Sequence, residues 1–243
     1  MQQAYKLLAA REGISNKKAK ELIDRGLVYV EGKKLVIARA EVPDGTVFKI
    51  EMPEDIQIIY QDDDVIAVNK PAGVDSYEIQ DAIEGAELLH RLDRDTSGVL
   101  ILGKNRDYTK RAIEEFRHRR VKKEYVAWVE GVVYEEMIID EPIHTIKKGK
   151  AISKIDKRIG KPAHTEVYPD EVQGKKSRVN IVITTGRTHQ IRVHLAHASH
   201  PIVGDMQYGS RTKAKRMLLH AHTITILGKK FVAPIPSDIQ RYK

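Results

Sequence analysis

Residues 90–103 read His-Arg-Leu-Asp-Arg-Asp-Thr-Ser-Gly-Val-Leu-Ile-Leu-Gly, the densest concentration of chemistry-bearing side chains in the chain. Val99 to Leu102 is an unbroken apolar run of strand length, the pattern of a buried strand. Just before it, Asp93 stands among Arg91, Arg94 and Asp95. Neighbouring positive charge favours an ionised carboxylate, and an ionised carboxylate can act as a nucleophile. On its own the string fits a loop salt bridge followed by a Thr-Ser-Gly turn at least as well. The segments around it decide between the two.

Upstream, Ile56 to Tyr60 and Val65 to Val68 are expected to pair as a hairpin around Asp62-Asp-Asp, and Asn69-Lys-Pro-Ala-Gly follows at a strand end. Downstream, Arg106 to Arg120 is predicted as a basic helix with Ile113 and Phe116 on its inner side. Lys123 to Val129 alternates, placing Tyr125, Ala127 and Val129 on one face and Val126 and Trp128 on the other. Val179 to Ile183 alternates in the same way. Gly186-Arg-Thr is expected to open a helix with Thr188 as cap, Ile191 and Leu195 inward and Pro201 as terminator. Leu218 to Leu227 and Phe231 to Ala233 form a last hairpin. Strands outnumber helices and many are joined by turns, so an α+β fold with a mostly antiparallel mixed sheet is expected.

Residues 1–53 read as a separate small α+β module and residues 54–243 as a second domain, with the boundary at Pro53-Glu-Asp. Tyr5, Leu7 and Leu8 open a first helix. Ser15 or Asn16 caps a second, which carries Lys17, Lys18 and Lys20 and stops at Gly26. Short strands follow, with a turn at Pro43-Asp-Gly.

The 243 residues are 41% apolar, enough for a core, and carry a formal net charge of +8. The excess is local: Lys104 to Lys123 holds nine Lys or Arg against three Asp or Glu. A concentrated basic patch points to a polyanionic partner such as nucleic acid, although a solvated helix face has the same composition. Arg117, Arg119 and Arg120 are its candidate contacts. No run of 18 apolar residues and no secretory leader is present, so a membrane span is not expected. The absence of cysteine excludes disulfides and thiolate metal sites and fits a reducing cytoplasm, the expected location. His189, His194, His197 and His200 could suggest a metal, but no acidic residue completes an HExxH-like pattern, and Ile191, Val193 and Leu195 between them suggest packing.

Taken in order, the strings Asn69-Lys-Pro-Ala-Gly, His90-Arg-Leu-Asp-Arg-Asp-Thr-Ser-Gly, Lys123-Glu-Tyr, Thr185-Gly-Arg-Thr-His-Gln-Ile-Arg-Val-His-Leu-Ala, His200-Pro-Ile-Val-Gly-Asp, Tyr208-Gly and Leu218-Leu-His-Ala resemble the RluA family of RNA pseudouridine synthases over about residues 56–237. The first module resembles the alpha-L RNA-binding module over about residues 4–51, with Lys17, Lys18 and Lys20 towards RNA. The resemblance implies Asp93 as nucleophile, Arg91 as the residue that takes the place of an extruded base, and Tyr125 as a platform under uracil. It also implies Arg192 as the partner of Asp93, Leu219 as a pocket wall and Lys70 as a neighbour of the site. Structured RNA is the implied substrate, ribosomal RNA before transfer RNA; a non-catalytic RNA-binding or ribosome-assembly protein is the alternative. No obligate protein partner is implied. Detaching, rotating and reattaching a base changes no oxidation state, so no metal or organic cofactor is expected. Attack at uracil carbon 6, attack at the anomeric carbon and deprotonation of the sugar all stay open. The chain departs from the family where Asp75-Ser-Tyr-Glu follows Lys-Pro-Ala-Gly, and only sixteen residues separate Gly73 from His90.

Overall fold

The computed structural model describes residues 1–24, 26–50, 56–148 and 150–242, so the expected boundary at Pro53-Glu-Asp lies outside the described residues. The chain divides into two units, Met1–Asp55 and Ile56–Lys243.

In the larger unit the strand Ser97–Gly103 is buried at every residue. Val65–Lys70 pairs with it antiparallel along its length, and Gln57–Gln61 pairs with Val65–Lys70 to complete the expected hairpin. On its other side Leu219–Ile226 meets it in parallel through two residue pairs only, His220 with Ser97 and Ala221 with Gly98. Beyond that contact lie Lys122–Glu130, Lys176–Ile183, Thr165–Gln173 and Met137–Ile139, each antiparallel to the last. The sheet is thus mainly antiparallel, in an α+β fold.

Alternation sends each strand's side chains to two cores. Val68, Leu100, Leu102, Tyr125, Ala127 and Leu219 enter one core, with Ile191 and Leu195 from the helix Gln190–His197. Ala67, Val99 and Ile101 enter the other, which the helix Arg106–Arg117 covers with Tyr108 and Ala112. Ile113 does not face inward: it is 41% exposed, because the buried row repeats as Tyr108, Ala112 and the half-buried Phe116, four residues apart, and Ile113 is one step out of phase. Trp128 is fully buried on the opposite side of its strand from Tyr125, and its ring N–H donates to Ile239 in the short helix Ser237–Gln240, which the sequence reading did not foresee.

Thr188 is not a helix cap. His189 holds the N-cap position in left-handed backbone (φ 55°), and the Gln190 side chain turns back to accept from the Arg187 N–H. The helix also ends before Pro201, with Ser199 in left-handed backbone (φ 67°).

In the smaller unit Ala4–Glu12 and Asn16–Asp24 pack Leu8, Ala19 and Ile23 into a shared core, alongside a sheet of Val28–Val30, Lys33–Lys34 and Phe48–Ile50. Ser15 caps the second helix by accepting from the Lys18 N–H. At its other end the Gly26 and Leu27 N–H groups close on the Ile23 and Leu22 carbonyls, with Gly26 left-handed. Lys17 and Lys18 are exposed, while Lys20 lies over the Tyr5 ring.

Gly98 carries the tightest constraint of the larger unit. Its φ is +116°, and a Cβ there would fall inside the Ala221 main chain. Gly98→Ala should therefore lose about 1–2 kcal/mol from backbone conformation alone and more from displacing the parallel strand. Thermal melting followed by circular dichroism checks this, and an unchanged melting temperature would refute it.

Candidate active site

Asp93 sits in the loop between His90 and Ser97, and the residues on either side of it are tied to the segment 70–76. The Ser76 hydroxyl donates to the Leu92 carbonyl and accepts from the Leu92 N–H, both at 3.0 Å. The Arg94 carbonyl accepts from the Gly73 N–H, and the Arg94 side chain donates to the Gly73 carbonyl. Lys70 is wholly buried, and its ammonium donates to the carbonyls of Pro71 (2.9 Å), Val74 (2.8 Å) and Arg94 (3.1 Å). Three bonds use all three of its protons. Lys70 therefore clamps the loop of Asp93 from beneath, in the neighbourhood of the site where it was expected. Burial pulls its pKa down to about 8, against the opposing charges of Asp75, Asp95 and Asp93.

Opposite the loop, Arg192 projects from the helix Gln190–His197 with its side chain 6% exposed. Its Nη1 donates to Asp93 Oδ2 at 3.3 Å across 99 residues of sequence. Its two shortest bonds go elsewhere: Nε to Asp205 Oδ2 at 2.7 Å and Nη2 to Asp205 Oδ1 at 2.9 Å. Nη2 also reaches Gln207, and the guanidinium lies 4.8 Å from the Tyr208 ring centre. The Tyr208 hydroxyl accepts from the Ser153 N–H and meets His189 Nδ1 at 2.7 Å. The other ring nitrogen, His189 Nε2, lies 3.9 Å from Asp93 Oδ2. Asp93 is a quarter exposed, the most open member of the group formed with Arg192, Asp205 and His189.

Tyr125 lies on the strand Lys122–Glu130, which neighbours Leu219–Ile226. It is 8% exposed, and burial first, then the Asp93 charge, pushes its pKa up and keeps the phenol neutral. Leu219 pairs with Ala127 and lies in the same apolar core as Tyr125 and Leu92. Arg91 is exposed beside the Tyr77 ring, 5.6 Å from its centre. Lys123 is buried; its ammonium donates to the Thr185 carbonyl at the start of the turn before Gln190.

The structure thus brings Asp93, Arg192, Tyr125 and Leu219 to one side of the sheet and leaves Arg91 on the surface. The basic patch is less bare than its composition suggests. Arg117 pairs with Glu114 and Arg120 with Glu115, while Arg119 is exposed in left-handed backbone (φ 58°), close enough to Arg187 to lower the latter's pKa after burial. His194 bonds Thr165 and the Glu141 carbonyl, and His200 bonds the Glu130 carbonyl. Among the described residues no three His, Asp or Glu side chains gather as a metal site.

Asp205, Tyr208 and Ser76 were not assigned roles from sequence. The first two fall in strings noted above, but nothing local ties an aspartate after Gly204 to an arginine thirteen residues earlier.

A family model described as RNA pseudouridylate synthase matches residues 64–197. A Helicobacter pylori (strain J99) protein described as an "Uncharacterized RNA pseudouridine synthase" is 47% identical over 242 residues, covering 99% of this chain and 100% of that protein. Ribosomal large subunit pseudouridine synthase D of Pasteurella multocida is 30% identical over 276 residues, covering 92% and 84% of the two chains. The solved structure of human RNA Pseudouridylate Synthase Domain Containing 1 superposes with a TM-score of 0.65 at 29% identity, over 76% of this chain and 84% of that one. The match to the family's own model across more than half the chain, joined to these relatives, means that the chain belongs to the RNA pseudouridylate synthases of the RluA family and is an isomerase that acts on RNA.

Proposed function

We propose that this enzyme converts uridine to pseudouridine in ribosomal RNA with Asp93 as its nucleophile. The observation that carries the reading is the position of the Asp93 carboxylate: a quarter exposed, backed by a buried arginine, and near enough to Tyr125 for its charge to help raise the phenol's pKa. A carboxylate that must react needs access to the substrate on one side and a counter-charge on the other. Tyr125 and Leu219 supply an aromatic and an aliphatic surface for a detached uracil, and base stacking on such a ring is worth roughly 1–3 kcal/mol. Arg91, exposed two residues before Asp93, fills the gap left in the RNA stack when the base is extruded, which itself costs a few kcal/mol.

The preference for ribosomal over transfer RNA rests on two supports. Several relatives carry the description ribosomal large subunit pseudouridine synthase. The unit Met1–Asp55 also presents Lys17 and Lys18 to solvent on one helix, which suits an added contact with a large folded RNA. Lys20, with its ammonium over Tyr5, lies on the same helix, and Arg119 adds an exposed positive charge on the larger unit.

Asp93→Asn keeps the shape of the side chain and removes its charge. Its rate should fall on the order of 10⁶-fold, the scale seen when a nucleophile is removed from an enzyme, while RNA affinity in a filter-binding assay stays within a factor of a few. A near wild-type rate would end the nucleophile reading. Incubation of the purified enzyme with large-subunit ribosomal RNA transcripts and with bulk transfer RNA, followed by pseudouridine mapping, tests the substrate. Modification of transfer RNA alone would overturn the ribosomal assignment. Lys17→Gln with Lys18→Gln should weaken ribosomal RNA binding and flatten its salt dependence, by about one unit of log–log slope per lost phosphate contact. Unchanged slope and affinity would remove this helix from the RNA surface.

A further inference from the structure

We propose that Asp205 is a positioning residue that divides the charge of Arg192, aiming one guanidinium nitrogen at Asp93 while leaving the Asp93 carboxylate only partly neutralised. The inference rests on Asp93 as nucleophile and adds the element that controls it.

A guanidinium has five N–H donors in a fixed plane. Asp205 takes the Nε proton and one Nη2 proton in a two-point contact, and Gln207 takes the other Nη2 proton. The Nη1 nitrogen alone faces Asp93. The Asp205 side chain is 2% exposed, and its main chain is fixed in a turn: its N–H donates to Ile202, and its carbonyl accepts from Tyr208 and Ser210. Tyr208 closes the far side, its ring beside the guanidinium and its hydroxyl bound to Ser153 and His189. Arg192 has no second place to go, so the direction of Nη1 is set by Asp205.

The charge count has a consequence. One guanidinium lies between two carboxylates, and the shorter bonds belong to Asp205, at 2.7 and 2.9 Å against 3.3 Å for Asp93. Were Arg192 given to Asp93 alone, a two-point ion pair would form, the most stabilising arrangement for a carboxylate and the least reactive. Asp205 prevents this by occupying the Nε–Nη2 side, while Gln207 takes the Nη2 proton that a two-point contact on the Nη1–Nη2 side would need.

The other charged or titratable groups facing Asp93 are His189, at the start of the helix that holds Arg192, Tyr125 on its strand, Tyr208 in the turn, and Lys70 beneath the loop. None of these four side chains is altered in the Asp205 variants.

The test is steady-state kinetics on an RNA substrate, with kcat and KM separated. Asp205→Asn should lower kcat by about 10–100-fold through misalignment, with KM little changed. Asp205→Glu keeps the charge and displaces the fork by a methylene, so it should lose kcat in the same way. A wild-type kcat in Asp205→Asn, or a loss confined to KM, would overturn the proposal. If the Asn variant does not fold, as judged by circular dichroism, Asp205→Glu decides alone: a wild-type kcat there would overturn it. The nucleophile reading fails separately, through an active Asp93→Asn, whereas an inactive Asp93→Asn with a wild-type kcat in Asp205→Asn would refute only the role of Asp205.

Discussion

The site depends on a close approach of two backbones, Gly98 to Ala221. The parallel contact between Ser97–Gly103 and Leu219–Ile226 is two residue pairs long, and it occurs where the loop of Asp93 ends and the strand of Leu219 begins. A side chain at position 98 would hold these strands apart. With none there, the loop is delivered beside Leu219, and the next strand across carries Tyr125. The Ser97 hydroxyl bonds His220 at the same contact, and Arg216 reaches Ser97 from its ion pair with Asp238. The sheet thus changes from antiparallel to parallel at the point where the loop of Asp93 meets Leu219.

Three buried cations do the remaining alignment. Burying an unpaired charge is costly, so each must be solvated by the protein itself. Lys70 finds three main-chain carbonyls and fixes the loop of Asp93. Lys123 finds the Thr185 carbonyl and holds the turn that leads to the helix of Arg192. Arg192 finds two carboxylates. Burial draws both lysines down to about 8, the first against nearby acids and the second with the help of Arg187, so both ammoniums are charged at neutral pH. One lysine holds each of the two segments that must face each other, and the arginine spans them. Ser76 adds a further tie to Leu92, in the stretch where the sequence departs from the family pattern. The short connection is thus compatible with a fixed loop.

Much of the architecture was legible because apolar alternation is a direct consequence of strand geometry. Tyr125, Ala127 and Val129 do share one core, with Val126 and Trp128 in another. The run 99–102 is buried, as an unbroken apolar stretch implies. What was missed has physical causes. Thr165–Gln173 carries Pro169 beside a bulge and is largely solvent-facing at its far end, so it lacks the period of a strand. The inner face of Arg106–Arg117 was misjudged by one residue because a tyrosine, a threonine and an alanine, rather than its isoleucine, lie inward. Thr188 was read as a cap because capping was sought in a preceding hydroxyl, whereas His189 takes the N-cap position in left-handed backbone without a side-chain cap bond, and the Gln190 side chain fixes the turn before the helix through the Arg187 N–H. Asp205 was hidden because its meaning lies in a partner on another element, and a single sequence does not record such pairings.

The order of exposure through the loop of Asp93 follows from its ties to the core. Arg91 is exposed, Leu92 is buried in the core and held by Ser76, and Asp93 is a quarter exposed. With Leu92 as a fixed point, Arg91 and Asp93 cannot move independently of the core. Two residues of chain span at most about 7 Å, so the two side chains leave one short stretch of main chain, the first into solvent and the second towards Arg192. A loop free to flex would blur that arrangement. The ties from Ser76, Gly73 and Lys70 on either side of Asp93 end on main-chain groups of the loop, so they hold its path whatever side chains it carries at positions 91 and 93.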